Sequence, residues 1–190
     1  MKYSEATQRL AEFRNQIASV RGEMRVVQAA IEPQEVSDYL FSTTAGEVRL
    51  SGLFGQRRDL FVIHNMGSSC PYCTLWADGY SGIYDHLESR AAFVVTSPDS
   101  PSVQKEFARG RGWKFLMVSH QGSSFAADMG YRSERGAWLP GISVFRREGK
   151  RILRVSDSGS SPGDDFCAQW HILDLLPEGA GEWRPKFSYA

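Results

Sequence analysis

The chain lacks the features that would tie it to a charged partner, a bilayer or an oxidising compartment. Its 22 basic and 22 acidic side chains cancel, leaving no electrostatic footprint for nucleic acid or an anionic membrane surface. No apolar run approaches the ~20 residues that span a bilayer, and Met1-Lys2-Tyr3-Ser4-Glu5 opens no apolar segment of signal-peptide type. Cysteine is scarce, and three is an odd number, which argues against a disulfide framework. The expectation is a cytoplasmic protein with neither nucleic acid nor membrane as partner. In a reducing compartment, two closely spaced cysteines are catalytic or metal-binding rather than a staple. No internal repeat is present, and 190 residues suit one self-supporting core with a decoration.

What is there centres on two of those cysteines. Asp59-Leu60-Phe61-Val62-Ile63-His64 is a short apolar run, Gly67-Ser68-Ser69 is a turn, and Leu75, Trp76, Tyr80, Ile83, Tyr84 and Leu87 recur at helical spacing. The stretch reads as strand, loop and helix, with Cys70-Pro71-Tyr72-Cys73 at the joint. Pro71 then takes the first helical position, where its missing N–H costs nothing. Cys70 falls at or just before the helix start, where free N–H groups and the helix dipole favour a thiolate. Cys70 is therefore expected to be the nucleophile, and Cys73, one turn on, the thiol that resolves a mixed disulfide. A zinc half-site or two inert thiols are the alternatives; a CxxC that follows a buried strand and opens a helix favours redox chemistry. Trp76 and Tyr80 read as core residues.

Upstream, Leu10, Phe13, Ile17, Val20, Met24, Val27 and Ile31 fall at alternating steps of three and four, predicting a helix from near Ser4 that stops before Pro33. The pattern matches three heptads of a coiled-coil seam. Packing on its own domain is the preferred reading, and a homodimer through this helix is the other. Tyr39 to Leu50 alternates about a Thr43-Thr44-Ala45-Gly46 turn and reads as a β-hairpin. Residues 1–55 are thus expected to form a helix and hairpin extension packed on a core domain of residues 56–190.

Downstream, Ala91 to Thr96 predicts a second buried strand. Ser100-Pro101 opens a helix ending at Gly110-Arg111-Gly112, and a right-handed crossover makes the two strands parallel. Trp113 to Ser119 is apolar enough for a short extension, and Ser124 to Met129 for a short helix. Leu139 to Val155 predicts an antiparallel hairpin turning at Gly149. Ser156 to Asp165 reads as a flexible loop, and Phe166, Trp170, Leu173 and Leu176 as a last helix stopped by Pro177. His86 and His120 read as surface or loop residues.

This order resembles the thioredoxin fold. The motifs Cys70-Pro71-Tyr72-Cys73 with Leu75-Trp76-Ala77-Asp78-Gly79, Gly112-Trp113-Lys114-Phe115, Pro140-Gly141-Ile142-Ser143-Val144-Phe145 and Leu173-Asp174-Leu175-Leu176-Pro177 together resemble one bacterial thioredoxin-like family, domain of unknown function 899, over nearly the whole chain. The resemblance implies a three-layer α/β sandwich with a central mixed sheet, plus the N-terminal helix and hairpin. It implies dithiol-disulfide oxidoreduction on protein or low-molecular-weight disulfides, with electrons from another thiol system and no organic cofactor. It places Pro140 where thioredoxins have a cis-proline facing the cysteines, so that Leu139 offers backbone groups to an extended substrate alongside Pro71 and Tyr72. His64 occupies the place of a buried acid that accepts the proton of the second cysteine; a hydrogen-bonded core histidine is the alternative. Ser69 replaces the tryptophan that thioredoxins carry before the first cysteine. Pro71-Tyr72 is the dipeptide of glutaredoxins, whose compact form the chain does not share.

Two rival functions remain. Peroxiredoxins need threonine or serine three residues before the reactive cysteine and proline seven before it; Gly67 and Ile63 stand there, which weakens a peroxidase reading. Alternatively, Cys167 and His171 lie one helical turn apart and with Cys70 and Cys73 would complete a Cys3His zinc set in a metal-binding or non-catalytic module. A lone Cys167 beside Phe166 and Trp170 reads more simply as a buried thiol.

Overall fold

A computed structural model describes residues 1–189, which divide into two compact units, Met1–Pro33 and the chain from Gln34 onward. The first unit is helix α1, Tyr3–Ala29. Its start is tied by the Lys2 N–H donating to Glu5 Oε2 at 3.2 Å. None of its residues is buried, and the stripe residues Leu10, Phe13, Ile17, Val20, Met24 and Val27 are all exposed.

The second unit is built on one mixed sheet. Its strands are β1 (Gln34–Val36), β2 (Leu40–Thr43), β3 (Gly46–Arg49), β4 (Asp59–His64), β5 (Ala92–Ser97), β6 (Leu116–Ser119), β7 (Gly141–Glu148) and β8 (Arg151–Gly159), and its helices are α2 (Pro71–Arg90), α3 (Pro101–Arg111), α4 (Phe125–Asp128) and α5 (Ala168–Leu173). The spatial order is β1-β8-β7-β4-β5-β6-β2-β3. At the centre β4 runs parallel to β5 and antiparallel to β7. The predicted extension after Trp113 is a full strand, β6, parallel to β5. The β2-β3 hairpin joins the sheet through Ser42 opposite Ser119, and a 3-10 turn at Leu50–Phe54 leads towards β4. Gly149, at φ +61, turns β7 into β8 as the sequence predicts. Beyond it the expectation fails in part: β8 continues to Gly159, so residues 156–159 pair with β7 instead of forming loop.

Period-two alternation assigns the strand residues to two faces. Leu60, Val62, Val94, Val118 and Phe145 pack under the hairpin, the 3-10 turn and α4. Ile63, Phe93 and Val95 pack against Trp76, Ala77 and Tyr80 of α2, with Phe107 of α3 and Trp170 of α5. The helix start that carries the cysteines therefore lies over the Ile63 face of β4.

At the other end of β4, Asp59 is held by Arg146 Nε at 2.8 Å and Arg90 Nη1 at 3.2 Å. The Arg146 hydrogen bond holds its carboxyl below the usual range against the opposing effect of burial. A depressed acid stabilises the fold above its unfolded pKa of about 4 and loses that contribution as pH falls through the lower folded value. Asp59→Asn is expected to cost about 1–2 kcal/mol in urea unfolding at pH 7, with the deficit shrinking below pH ~4.

Candidate active site

The loop between β4 and α2 is shaped by side chains that cap its own backbone. The Asn65 N–H donates to Thr96 O at 2.9 Å, and Asn65 Oδ1 accepts the Gly67 N–H at 2.8 Å. Asp99 Oδ2 accepts the Ser68 N–H at 2.7 Å. Gly67 sits at φ +110, and a Cβ there would lie 3.1 Å from Asp99 Oδ1, so both conformation and space select glycine. The chain is thereby delivered to Cys70 as the N-cap of α2, with Pro71 at the first helical position.

Cys70 is half-buried and Cys73 is 3% exposed; both are free thiols. Cys70 Sγ accepts the Cys73 N–H at 3.2 Å, and Cys73 Sγ accepts the Met66 N–H at 3.4 Å. Thr74 fastens this turn, its hydroxyl donating to Cys70 O at 2.9 Å. The Cys73 thiol donates to the Cys70 sulfur, and with the backbone N–H groups of Cys73 and Tyr72 it outweighs burial and lowers the Cys70 pKa to about 6. The same hydrogen bond, reinforced by burial, pushes Cys73 strongly up. One sulfur is thus an accessible anion near neutral pH and its neighbour a buried proton donor. Alkylation of Cys70 by iodoacetamide is expected to reach half its limiting rate near pH 6, not near the ~8.5 of an ordinary thiol; a stopped pH series read by mass spectrometry checks this.

Tyr72 stacks on Trp170 at 6.2 Å and walls an open cleft with Pro162, Gly163, Trp183 and Arg184. Pro140 lies across a small cavity from Cys73, but its expected cis bond is absent: among the described residues every peptide bond is trans. The adjoining backbone groups are also engaged within the chain. The Leu139 N–H donates to Tyr131 O at 3.0 Å, and Pro140 O accepts the Ser160 N–H at 3.0 Å. The Leu139 N–H that an extended substrate was expected to meet is thus committed to Tyr131, and Ser160, just past β8, takes up the neighbouring Pro140 carbonyl.

His64 lines the same small cavity as Cys73. The pleat turns its ring to the face opposite Ile63, where Nε2 pairs with Ser143 Oγ at 2.9 Å and the ring stacks on Tyr131 at 3.6 Å. Burial first, then the neighbouring His120 and Arg154, hold it well below its usual pKa. It is a buried, neutral histidine whose Nε2 is engaged with Ser143. His120 is likewise core rather than surface: it is buried and edge-on to Trp138 at 4.8 Å, and burial lowers its pKa to about 4.

The zinc alternative is not assembled. No group of three or more metal-ligating side chains occurs among the described residues. His171 is turned towards Asp165 and Asp174, and Cys167 is buried at the N-cap of α5, where burial raises its pKa. Two site residues escaped the sequence reading. Asp99 follows the second strand and looks like an ordinary turn residue, while Tyr80 was assigned to the core because its spacing carries no sign of an unpaired hydroxyl.

A central mixed sheet with a thiol pair at the strand-to-helix joint beside it defines the class: this is a thioredoxin-fold protein. Solved structures with the same fold include peroxiredoxins. Peroxidoxin BcpB from Mycobacterium tuberculosis is 23% identical, with a TM-score of 0.57, covering 72% of this chain and 88% of its own. Reduced Prx3 from Vibrio vulnificus is 14% identical, with a TM-score of 0.57, covering 70% of this chain and 89% of its own. Peroxiredoxin Q from Xanthomonas campestris is 17% identical, with a TM-score of 0.55, covering 64% of this chain and 80% of its own. Likenesses at this identity concern the fold. The family described as "Bacterial protein of unknown function (DUF899)" matches residues 4–189, and the chain belongs to it. A comparison with curated proteins finds no match. Among the described residues no helix is long and apolar enough to cross a membrane.

Proposed function

We propose that the chain is a dithiol-disulfide oxidoreductase in which Cys70 attacks a substrate disulfide and Cys73 resolves the product. The observation that carries this reading is the unequal pair: Cys70 Sγ is half-buried at the helix start and accepts the Cys73 N–H at 3.2 Å, while Cys73 is 3% exposed behind it. The attacking thiolate is formed near neutral pH, and the second thiol is held protonated until the first disulfide exists. Substrates are protein or low-molecular-weight disulfides meeting Cys70 beside Tyr72 and Pro71. Electrons come from a second thiol system of the cytoplasm. Redox titration of the pair against glutathione buffers tests this. A two-electron midpoint assigned to Cys70–Cys73 supports it, and a pair that stays reduced throughout without exchanging defeats it.

The peroxiredoxin likeness of the fold favours a second reading, a peroxidase using the Cys70 thiolate. Gly67 and Ile63 offer no hydroxyl or proline at the positions that reading requires. Consumption of hydrogen peroxide by the reduced protein, followed directly, separates the two.

A further inference from the structure

Resolution requires the Cys73 thiol to lose its proton, and His64, expected to take it, has its Nε2 committed to Ser143 Oγ at 2.9 Å. On the thiol side of the sheet, Cys73, Trp76 and Tyr80 follow one another at steps of three and four along one face of α2. Tyr80 is 5% exposed, yet its hydroxyl has no hydrogen-bond partner and no solvent contact. Such a group is costly unless a water satisfies it. Tyr80 lines a small cavity together with Cys73, Trp76, Ile63, His64, Asn65, Pro140 and Ser160, with room for about one water molecule. Pro140 and Ser160, both half-buried, form its outer rim.

We propose that the Tyr80 hydroxyl holds a water molecule in this cavity against Cys73 Sγ, and that this water takes the Cys73 proton during resolution. The inference rests on the dithiol mechanism proposed above. In the step, the Cys73 S–H bond breaks as the sulfur–sulfur bond to Cys70 forms. The bond from Cys70 to the substrate sulfur breaks, and its electron pair leaves on the substrate thiolate. The proton passes through the water to solvent at the Pro140 and Ser160 rim, and the departing thiolate is protonated from solvent. The dithiol is oxidised by two electrons and the substrate disulfide is reduced.

The groups facing Tyr80 suit this role. Asp164 and Cys167, from the segment entering α5, and Cys73 all act on the phenol electrostatically; burial, the largest influence, pushes its pKa up in the same direction. It therefore stays protonated and donates to the water. The Asp164 carboxylate is committed elsewhere, with Oδ1 accepting Trp76 Nε1 at 3.2 Å and the Phe166 N–H at 2.9 Å and Oδ2 accepting the Ser161 N–H at 3.0 Å. From the sheet, Ile63 and Phe93 present apolar surface, and His64, which burial keeps neutral and whose Nε2 pairs with Ser143 Oγ, also lines the cavity. Tyr80 is thus a positioning residue, acting through the water it holds.

Dithiobis-nitrobenzoate separates the two steps, because one chromophoric thiolate leaves when Cys70 attacks and the second when Cys73 resolves. In the full chain carrying Tyr80→Phe, the first phase should be unchanged. The second should be about tenfold slower, with its pH profile displaced upward. In the unaltered protein the second phase should slow in deuterated water with a curved dependence on deuterium fraction, a readout that survives should the variant fold poorly. Wild-type second-phase kinetics in Tyr80→Phe, or a resolving rate indifferent to deuterium, overturns the proposal and leaves the dithiol mechanism intact. Absence of the first phase in the unaltered protein overturns that mechanism, and this inference with it.

Discussion

Cys70→Ser should abolish disulfide exchange, whereas Cys73→Ser should halt it one step later with the substrate covalently attached to Cys70. The difference follows from where the two sulfurs sit. At the N-cap, Cys70 is half-buried and accepts hydrogen bonds from the Cys73 thiol first and then from helix-start N–H groups, which lower its pKa to about 6; a serine hydroxyl in that position stays protonated and does not attack. A loss of roughly 10³-fold or more is expected. Cys73 is buried and unable to meet a large disulfide directly, so its loss spares the attack and removes the resolving thiol. Intact-mass spectrometry after mixing Cys73→Ser with oxidised glutathione should show one glutathione per chain, removable by reductant. Two outcomes contradict the assignment of roles: residual turnover in Cys70→Ser carried by Cys73, or an adduct found on Cys167 instead.

The parts of this arrangement that were legible in the sequence are those written locally. Pro71 at a helix start, an apolar strand before it and a turn between them are neighbours in the chain, and their spacing alone puts Cys70 at the N-cap. Ser100-Pro101 and Gly112 bounded α3 for the same reason, Gly112 adopting the left-handed cap at φ +68. What failed was decided across the sheet. His64 lies six positions before Cys70, and its spacing could not show that the strand pleat puts it on the face of Val62, Ser143 and Tyr131, with Nε2 bonded to Ser143. The backbone around Pro140 is fixed by β8, whose last residues carry Ser and Gly and read as loop until β7 is seen to pair with them. Cys167 caps α5 while His171, within that helix, is directed to Asp165 and Asp174, so the two do not gather with the dithiol into a ligand set among the described residues. The unpaired hydroxyl of Tyr80 had no signal in the sequence, because a tyrosine at a core position looks the same whether or not its hydroxyl is paired.

Gly141→Ala should be among the most destabilising single changes in the chain, although it adds one methyl group. A Cβ at this position would lie 2.2 Å from Tyr131 Cε1 and 2.5 Å from Ser158 O. Neither neighbour is free to withdraw. The Tyr131 hydroxyl donates to Ile142 O at 3.0 Å and to Ser158 O at 3.2 Å, and its ring stacks on His64 at 3.6 Å. Moving Ser158 means parting β8 from β7 where Gly141 pairs with Gly159. Overpacking against such fixed groups is expected to cost about 3 kcal/mol, read as a lower urea midpoint with an unchanged slope. Gly110→Ala is the matched control, since no atom lies within 4 Å of a Cβ added there on α3; that change should be neutral or stabilise by up to ~1 kcal/mol through helix propensity. Because Gly141 follows Pro140 at the rim of the cavity beside Cys73, the same substitution should also slow resolution while sparing attack by Cys70, which stands on α2 and the Asp99-braced loop. A wild-type midpoint for Gly141→Ala would mean that the close approach of Tyr131 to the β7 backbone does not hold the end of the sheet in place.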